Sequence, residues 1–257
     1  MSESQSASSK VRLKIKRQSG PKGDSYWETF EVEYRAGMNV ISALQSVQRN
    51  PETLAGKKVA PPVWDCNCLE EVCGACTMLI NGKVRQSCSA LIDDPTVGKD
   101  ITLEPMTKYP VVRDLMVDRQ RIFDTLKKTK AWVAIDGVYN LGPGPRYSEE
   151  EQQWRYKLSE CMSCGCCMEA CPQYLKGGDF QGASIFGQIE LFNSHPTGAL
   201  QSDERTSTTM VKGGIMDCGN AQNCVEVCPK HIPLTEAIAK LSRRATKLSF
   251  KKLLSMK

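Results

Sequence analysis

The sequence predicts an α+β chain of two domains, a β-rich one followed by a mostly helical one. Three observations carry this reading. The 257 residues exceed what one small core needs. Apolar residues alternate in the first part, whereas helical spacing takes over after position 110. The 13 cysteines fall into three groups, one in the β-rich part and two in the helical part.

The elements follow in order. Val11–Arg17 alternates apolar and charged residues, as a half-buried strand does, and Trp27–Tyr34 alternates beside it as a hairpin partner. Asn39–Gln48 carries Val40, Ala43, Leu44 and Val47 at helical spacing. Thr77–Ile80 and Lys83–Ser87 flank Asn81-Gly82, a hairpin signal because a type I′ turn needs positive φ at both positions. Ile101–Met106 reads as a closing strand and Asp114–Lys128 as a connecting helix. The GPGP at Gly142–Pro145 marks a loop. Ser148 with Glu151 forms a capping box before a helix over Gln152–Leu158. Further helices are expected through Ile185, Ile189 and Phe192, and after Pro233 through Ile238 and Leu241. The expected division is a flexible N-terminus over 1–9, a first domain over 10–110 and a connecting segment over 111–145. A helical domain over 146–245 and a basic tail over 246–257 complete it.

Composition narrows the function. Lys and Arg total 34 against 29 Asp and Glu, a mild excess that argues against a dedicated nucleic-acid binder. The polar start MSESQSASSK has no apolar stretch of a secretory signal, and no run approaches the ~18 apolar residues of a spanning helix. An odd number of cysteines without a secretory start points to thiolates gathered for metal rather than to disulfides.

Cys68-x4-Cys73-x2-Cys76, with Cys88 beyond the hairpin, is the plant-type ferredoxin spacing for a 2Fe–2S cluster. A tight loop supplies three thiolates and the returning strand the fourth. The competing reading is buried or zinc-binding cysteines, and zinc knuckles rarely use these gaps. A Rieske centre needs two histidines, and neither His195 nor His231 lies near. Both histidines read as ordinary loop or helix-end residues.

Cys161-x2-Cys164-x2-Cys167-x3-Cys171-Pro172 is the bacterial two-cluster run. The third group repeats it with Cys218, Cys224 and Cys228-Pro229, but Ala221 stands at the second place. The fourth cysteine of each run ligates the other cluster. Cys161, Cys164, Cys167 and Cys228 then hold a 4Fe–4S cluster, and Cys171, Cys218 and Cys224 a 3Fe–4S cluster. The alternative at the second is a 4Fe–4S cluster whose fourth iron takes water or Asp217. Cys66 and Cys166 are surplus thiols.

The segments WDCNCLEEVCGAC, CMSCGCCMEAC and CGNAQNCVEVCPK together resemble the iron–sulfur subunit of succinate dehydrogenases and fumarate reductases, over roughly residues 10–245. Within that family the menaquinone-using branch is most similar. The resemblance implies a β-grasp plant-type ferredoxin-like domain and an all-helical two-cluster ferredoxin-like domain. It implies a relay from a flavoprotein subunit with FAD, through 2Fe–2S, 4Fe–4S and 3Fe–4S centres, to menaquinone at a membrane cytochrome b anchor that often carries haem b. The chain would be peripheral, on the cytoplasmic side of a bacterial membrane, serving the tricarboxylic acid cycle and respiratory chain, with no catalytic residue and no nucleic-acid partner of its own. Fumarate reduction is the alternative direction, and an iron–sulfur subunit of another membrane oxidoreductase a more distant one. From a different class comes a structural zinc protein whose basic tail binds nucleic acid.

Some positions depart from the family. Many relatives carry Arg and Gly where this chain has Leu69 and Glu71. Glu70 and Glu71 would disfavour the reduced cluster if unscreened; both read as pointing to water, where solvent screens them. Ubiquinone-using relatives place a Trp near Lys176 and a His at Gly219, so a ubiquinone pocket is not transferred. The run of basic residues after Glu236, interleaved with Leu241, Leu248, Phe250, Leu253 and Leu254, reads either as contact with an anchor subunit or acidic lipid, or as a solvated helix end.

Overall fold

The computed structural model describes residues 10–134 and 146–255. The expected flexible N-terminus and the Gly142–Pro145 loop lie outside the described residues. The chain forms two compact units that divide after Asp118.

The first unit holds five strands in one sheet: β1 (Lys10–Gln18), β2 (Ser25–Glu33), β3 (Thr77–Ile80), β4 (Lys83–Gln86) and β5 (Asp100–Glu104), in the order β2-β1-β5-β3-β4. β1 runs antiparallel to β2, with Leu13 opposite Phe30, and parallel to β5, with Leu13 opposite Ile101. The alternation of β1 places Val11, Leu13 and Ile15 in the core and its lysines outside. Helix α1 (Val40–Arg49) packs Val40, Ile41, Ala43, Leu44 and Val47 on that core. Its N-cap, Asn39, accepts the Ser42 N–H at 2.8 Å and donates to the Cys88 carbonyl at 2.9 Å. The cap is worth about 1 kcal/mol, and it ties the helix start to the fourth cysteine of the first group. Asn81 and Gly82 have φ +50° and +76°, as the type I′ turn requires.

The helix expected from Asp114 begins only at Gln120, as α2 (Gln120–Lys128). Asp114 instead has φ +48° and is buried. Its carboxylate accepts Arg17 Nε and the Gln18 and Val63 N–H groups, each at 3.0 Å. Arg17 also pairs with Glu28 and donates to the Ala60 carbonyl. A buried charge held this fully fixes its backbone, so residues up to Asp118, including β6 (Val111–Arg113) and β7 (Met116–Val117), belong to the first unit instead of a connector.

The second unit is helical: α2, α3 (Glu149–Ser159), α4 (Cys166–Glu169), α5 (Ala183–Ser194), α6 (Ser202–Ser207), α7 (Asn223–Glu226) and α8 (Leu234–Ser255), with 3₁₀ turns at Gly198–Gln201 and Ile215–Asp217. Ser148 caps α3 through the Glu151 N–H. α5 is buried nearly all round and packs on α8, where a Cβ at Gly187 would meet Leu234 Cδ2 at 3.0 Å. Glu190, in α5 and 1% exposed, is bracketed by Arg244 Nε at 3.1 and 3.0 Å. Burial pushes its carboxyl upward and Arg244 opposes that push. Arg205 is fully buried and donates to Asn193 Oδ1 and to the carbonyls of Lys130, Trp132 and Gly198. The expected tail from 246 is instead the last part of α8, whose Leu248 is buried. Ala245 and Leu248 continue the apolar stripe of Ala237 and Leu241, so the packing seam carries the helix past 245. Among the described residues no helix is long and apolar enough to cross a membrane.

Candidate iron–sulfur sites

The first cysteine group sits in the loop entering β3 and at the end of β4. Leu69, Glu71 and Gly74 all have positive φ, at +62°, +56° and +71°. Alternating hand turns backbone N–H groups inward, making an anion-binding nest. Accordingly the Glu70 and Val72 N–H groups both donate to Cys68 Sγ at 3.4 Å, and the Ala75 N–H to Cys73 Sγ at 3.4 Å. Those two N–H groups, with the Cys73 thiol, lower the Cys68 pKa to about 7. Cys76 is buried, and burial first, then the Cys88 thiol, push it up to about 12 against the lowering effect of the Cys88 N–H. The four thiols thus fall into two touching pairs, Cys68 with Cys73 and Cys76 with Cys88, which is the demand of a rhombic two-iron core with two thiolates per iron.

Glu70 is exposed, whereas Glu71 is only partly open to water. It is half-buried and accepts the Ser89 hydroxyl. Cys66 is half-buried and packs on the core.

In the second unit one backbone pattern occurs twice. Ser163 and Gly165 have φ +52° and +89°, and Asn220 and Gln222 have φ +51° and +64°. Each pair flanks the second place of its run, Cys164 in one and Ala221 in the other. α4 and α7 then begin at matching positions. Met168 N–H to the Gly165 carbonyl matches Val225 N–H to the Gln222 carbonyl, both about one helical turn in. The repeat is therefore one of chain geometry as well as spacing, and it persists where the thiol is missing.

Electrostatics show which thiols meet. Burial first, then like charge from Cys164, Cys161 and Cys228, pushes Cys167 well above the usual thiol range. Cys161 is raised by burial and by Cys164 and Cys228. Cys224 is raised by burial and then by Cys171 and Cys218. The last cysteine of each run thus faces the other run. Two cavities match these sets. One has ≈ 350 Å³ of empty space, partly open, and Cys161, Cys164, Cys167 and Cys228 on its wall. The other has ≈ 380 Å³, also partly open, with Cys171, Cys218, Cys224 and Ala221. Among the described residues no three Cys, His, Asp or Glu side chains are placed to hold a single metal ion. Partly open, thiol-lined cavities fit iron–sulfur clusters.

Sequence reasoning set Cys166 aside as surplus, but it is fully buried at the start of α4 in the same cavity. Its thiol, and after that its N–H, hydrogen-bond to Cys164 and, with Arg119, bring that thiol down to about 7 against the opposing effect of burial. Gly165 hinted at a special backbone here; nothing marked the left-handed Leu69, Glu71 and Gln222. His195 ends α5, its Nδ1 accepting the Gly198 N–H, and His231 lies in the turn after Cys228.

Comparison with known proteins agrees with this geometry. Residues 12–124 match the model of the 2Fe-2S iron-sulfur cluster binding domain, and residues 157–232 that of the 4Fe-4S dicluster domain. The chain is 54% identical over 241 residues to the succinate dehydrogenase iron-sulfur subunit of Bacillus subtilis, covering 94% of each. It is 30% identical over 226 residues to the fumarate reductase iron-sulfur subunit of Wolinella succinogenes, covering 85% of this chain and 89% of that one. A chain of the Mycobacterium smegmatis Sdh1 complex in the apo form shares the fold, with a TM-score of 0.75 at 23% identity, over 95% of this chain and 98% of that chain. With a cluster-binding β-rich unit, a doubled cysteine run and relatives matched nearly end to end, this chain belongs to the family of succinate dehydrogenase and fumarate reductase iron–sulfur subunits.

Proposed function

We propose that this chain is the electron-transfer subunit of a succinate:menaquinone oxidoreductase, a peripheral protein on the cytoplasmic side of a bacterial membrane. The carrying observation is the doubled backbone pattern with Ala221 in the place of Cys164, within a chain 54% identical to a succinate dehydrogenase iron-sulfur subunit. When bound, the three clusters supply one-electron redox centres between the FAD of a flavoprotein subunit and menaquinone at a cytochrome b anchor.

The chain's own residues hold and tune those centres. Cys68, Cys73, Cys76 and Cys88 would hold the 2Fe–2S cluster in the domain over 10–110. In the domain over 146–245, Cys161, Cys164, Cys167 and Cys228 would hold the 4Fe–4S cluster, and Cys171, Cys218 and Cys224 the 3Fe–4S cluster. Cys164 and Cys167 are buried, whereas Gly219–Asn223 beside the third site is exposed, which suits a last station that a partner must approach. Near the end of α8, Phe250, Leu253 and Leu254 are exposed beside Lys247, Lys251 and Lys252. Lys251 pairs with Asp203 at 2.6 Å. This mixed apolar and basic surface favours contact with an anchor subunit and acidic lipid.

Purification of the tagged chain from membranes, with mass spectrometry of its partners, tests the reading. A flavoprotein and a cytochrome b should co-purify; a colourless chain recovered alone would refute it. The 30% identity to a fumarate reductase subunit supports a second reading, the same relay run toward fumarate. Succinate-driven menaquinone reduction exceeding menaquinol-driven fumarate reduction in those membranes favours the first.

A further inference from the structure

Gln86 closes β4 directly opposite Thr77 of β3, beside the first cysteine group. It is 1% exposed and Thr77 3%. The Cys76 thiol donates to Gln86 Oε1 at 3.4 Å. On its other side Gln86 Nε2 donates to Thr77 Oγ1 at 2.7 Å, and the Thr77 hydroxyl donates to the Gly74 carbonyl at 2.9 Å. The chain Cys76, Gln86, Thr77, Gly74 is buried from water and begins at a sulfur.

Iron ligation removes the Cys76 proton. The sulfur then becomes an acceptor only, and it faces an amide oxygen that is also an acceptor. Two electron-rich atoms in contact at a buried site are unfavourable. The amide relieves this by rotating half a turn about its last bond, which exchanges oxygen and nitrogen within the same volume. Nε2–H then donates to the Cys76 sulfur, and Oε1 accepts the Thr77 hydroxyl proton, which turns to it from the Gly74 carbonyl. We propose that Gln86 is a potential-setting residue of the first site: in the loaded protein it donates an amide hydrogen bond to Cys76, and Thr77 fixes the amide in that orientation. The inference rests on Cys76 being a ligand of the 2Fe–2S cluster.

A hydrogen bond to a ligand sulfur draws charge from it and favours the reduced state, which carries one more negative charge. At a buried position this effect is screened little. It opposes the negative charge of Glu70 and Glu71 in the same loop.

The test is a redox titration of the purified complex, following the 2Fe–2S electron paramagnetic resonance signal in the parent protein, Gln86→Leu and Thr77→Val. Leucine is close in size, has no donor, and leaves the Thr77 hydroxyl its Gly74 acceptor. The midpoint potential should fall in Gln86→Leu and fall less in Thr77→Val, with the other centres unmoved. An unchanged potential in Gln86→Leu with the signal intact overturns the proposal. If that variant loses its cluster, Thr77→Val decides: a lowered potential supports the proposal and an unchanged one overturns it. Absence of a 2Fe–2S signal in the parent protein would refute the ligand assignment instead.

Discussion

Ala221 occupies in the third cysteine run the place that Cys164 occupies in the second, each between two residues of positive φ. Ser163 and Gly165 frame the thiol; Asn220 and Gln222 frame the methyl group. A bulky non-glycine residue in the left-handed region costs roughly 1–2 kcal/mol, and the third run bears this at Gln222, whereas Asn220 is a residue that tolerates it. The backbone there still has the shape of a complete cluster loop, so the side chain at 221 decides how many thiolates the site offers.

Ala221→Cys should therefore convert the third site from three thiolates to four without rebuilding the loop. The expected result is loss of the 3Fe–4S resonance signal, with slower quinone reduction while succinate-dependent dye reduction near the flavin is largely kept. An unchanged signal would contradict the assignment of Cys171, Cys218 and Cys224.

Two thiols are left over, and both should be dispensable for iron. Cys66→Ser and Cys166→Ala should retain the full iron content, whereas Cys167→Ala should lose a cluster. Cys166 is fully buried, so its alanine variant should also lose about 1 kcal/mol through the small cavity it leaves. Iron analysis and thermal melting of the three variants check this.

Thiol reactivity should separate the first group after the clusters are removed. Cys68, held at about 7 by two backbone N–H groups, is half thiolate near neutrality, so its alkylation should rise through pH 7 and then level off. Cys76, raised to about 12 by burial, remains a protonated thiol over the same range and should react slowly. Peptide mass spectrometry after timed iodoacetamide treatment from pH 6 to 9 reads both. Faster labelling of Cys76 than Cys68 would contradict the loop geometry.

Leu69 is the strained residue easiest to relieve. It has φ +62° and is 48% exposed, so it gains little from burial. Leu69→Gly removes the left-handed penalty at the cost of extra unfolded-chain entropy. The net effect should be about 0.5–1 kcal/mol stabilising, seen as a higher melting temperature, with Leu69→Ala giving no such gain. A lower melting temperature for the glycine variant would contradict it.

The elements legible in the sequence were those set by local rules. Val11–Arg17 alternates because one face is buried, Val40, Ala43, Leu44 and Val47 recur at helical spacing because one side of α1 packs on the core, and Asn81-Gly82 turns because both positions tolerate positive φ. The three cysteine groups were legible because metal ligation fixes their spacing. What escaped depends on distant partners. Asp114 reads as the start of a helix until Arg17, nearly a hundred positions earlier, is seen to hold it. Glu71 reads as solvated until Ser89 is seen beside it. The basic residues after 245 suggest a tail, whereas Ala245 and Leu248 find cover and keep α8 helical to Ser255. Gln86 carries no motif at all; only the pairing of β4 with β3 brings it to Cys76.

On the proposed assignment one chain holds three different clusters, the last short of one iron and one thiolate. Anaerobic iron and sulfide analysis with paramagnetic resonance of the purified complex tests it most directly. The expected result is roughly nine irons per chain, two, four and three in turn, and an oxidised-state signal of a 3Fe–4S centre. Roughly ten irons with no such signal, or zinc in a colourless chain, would contradict it.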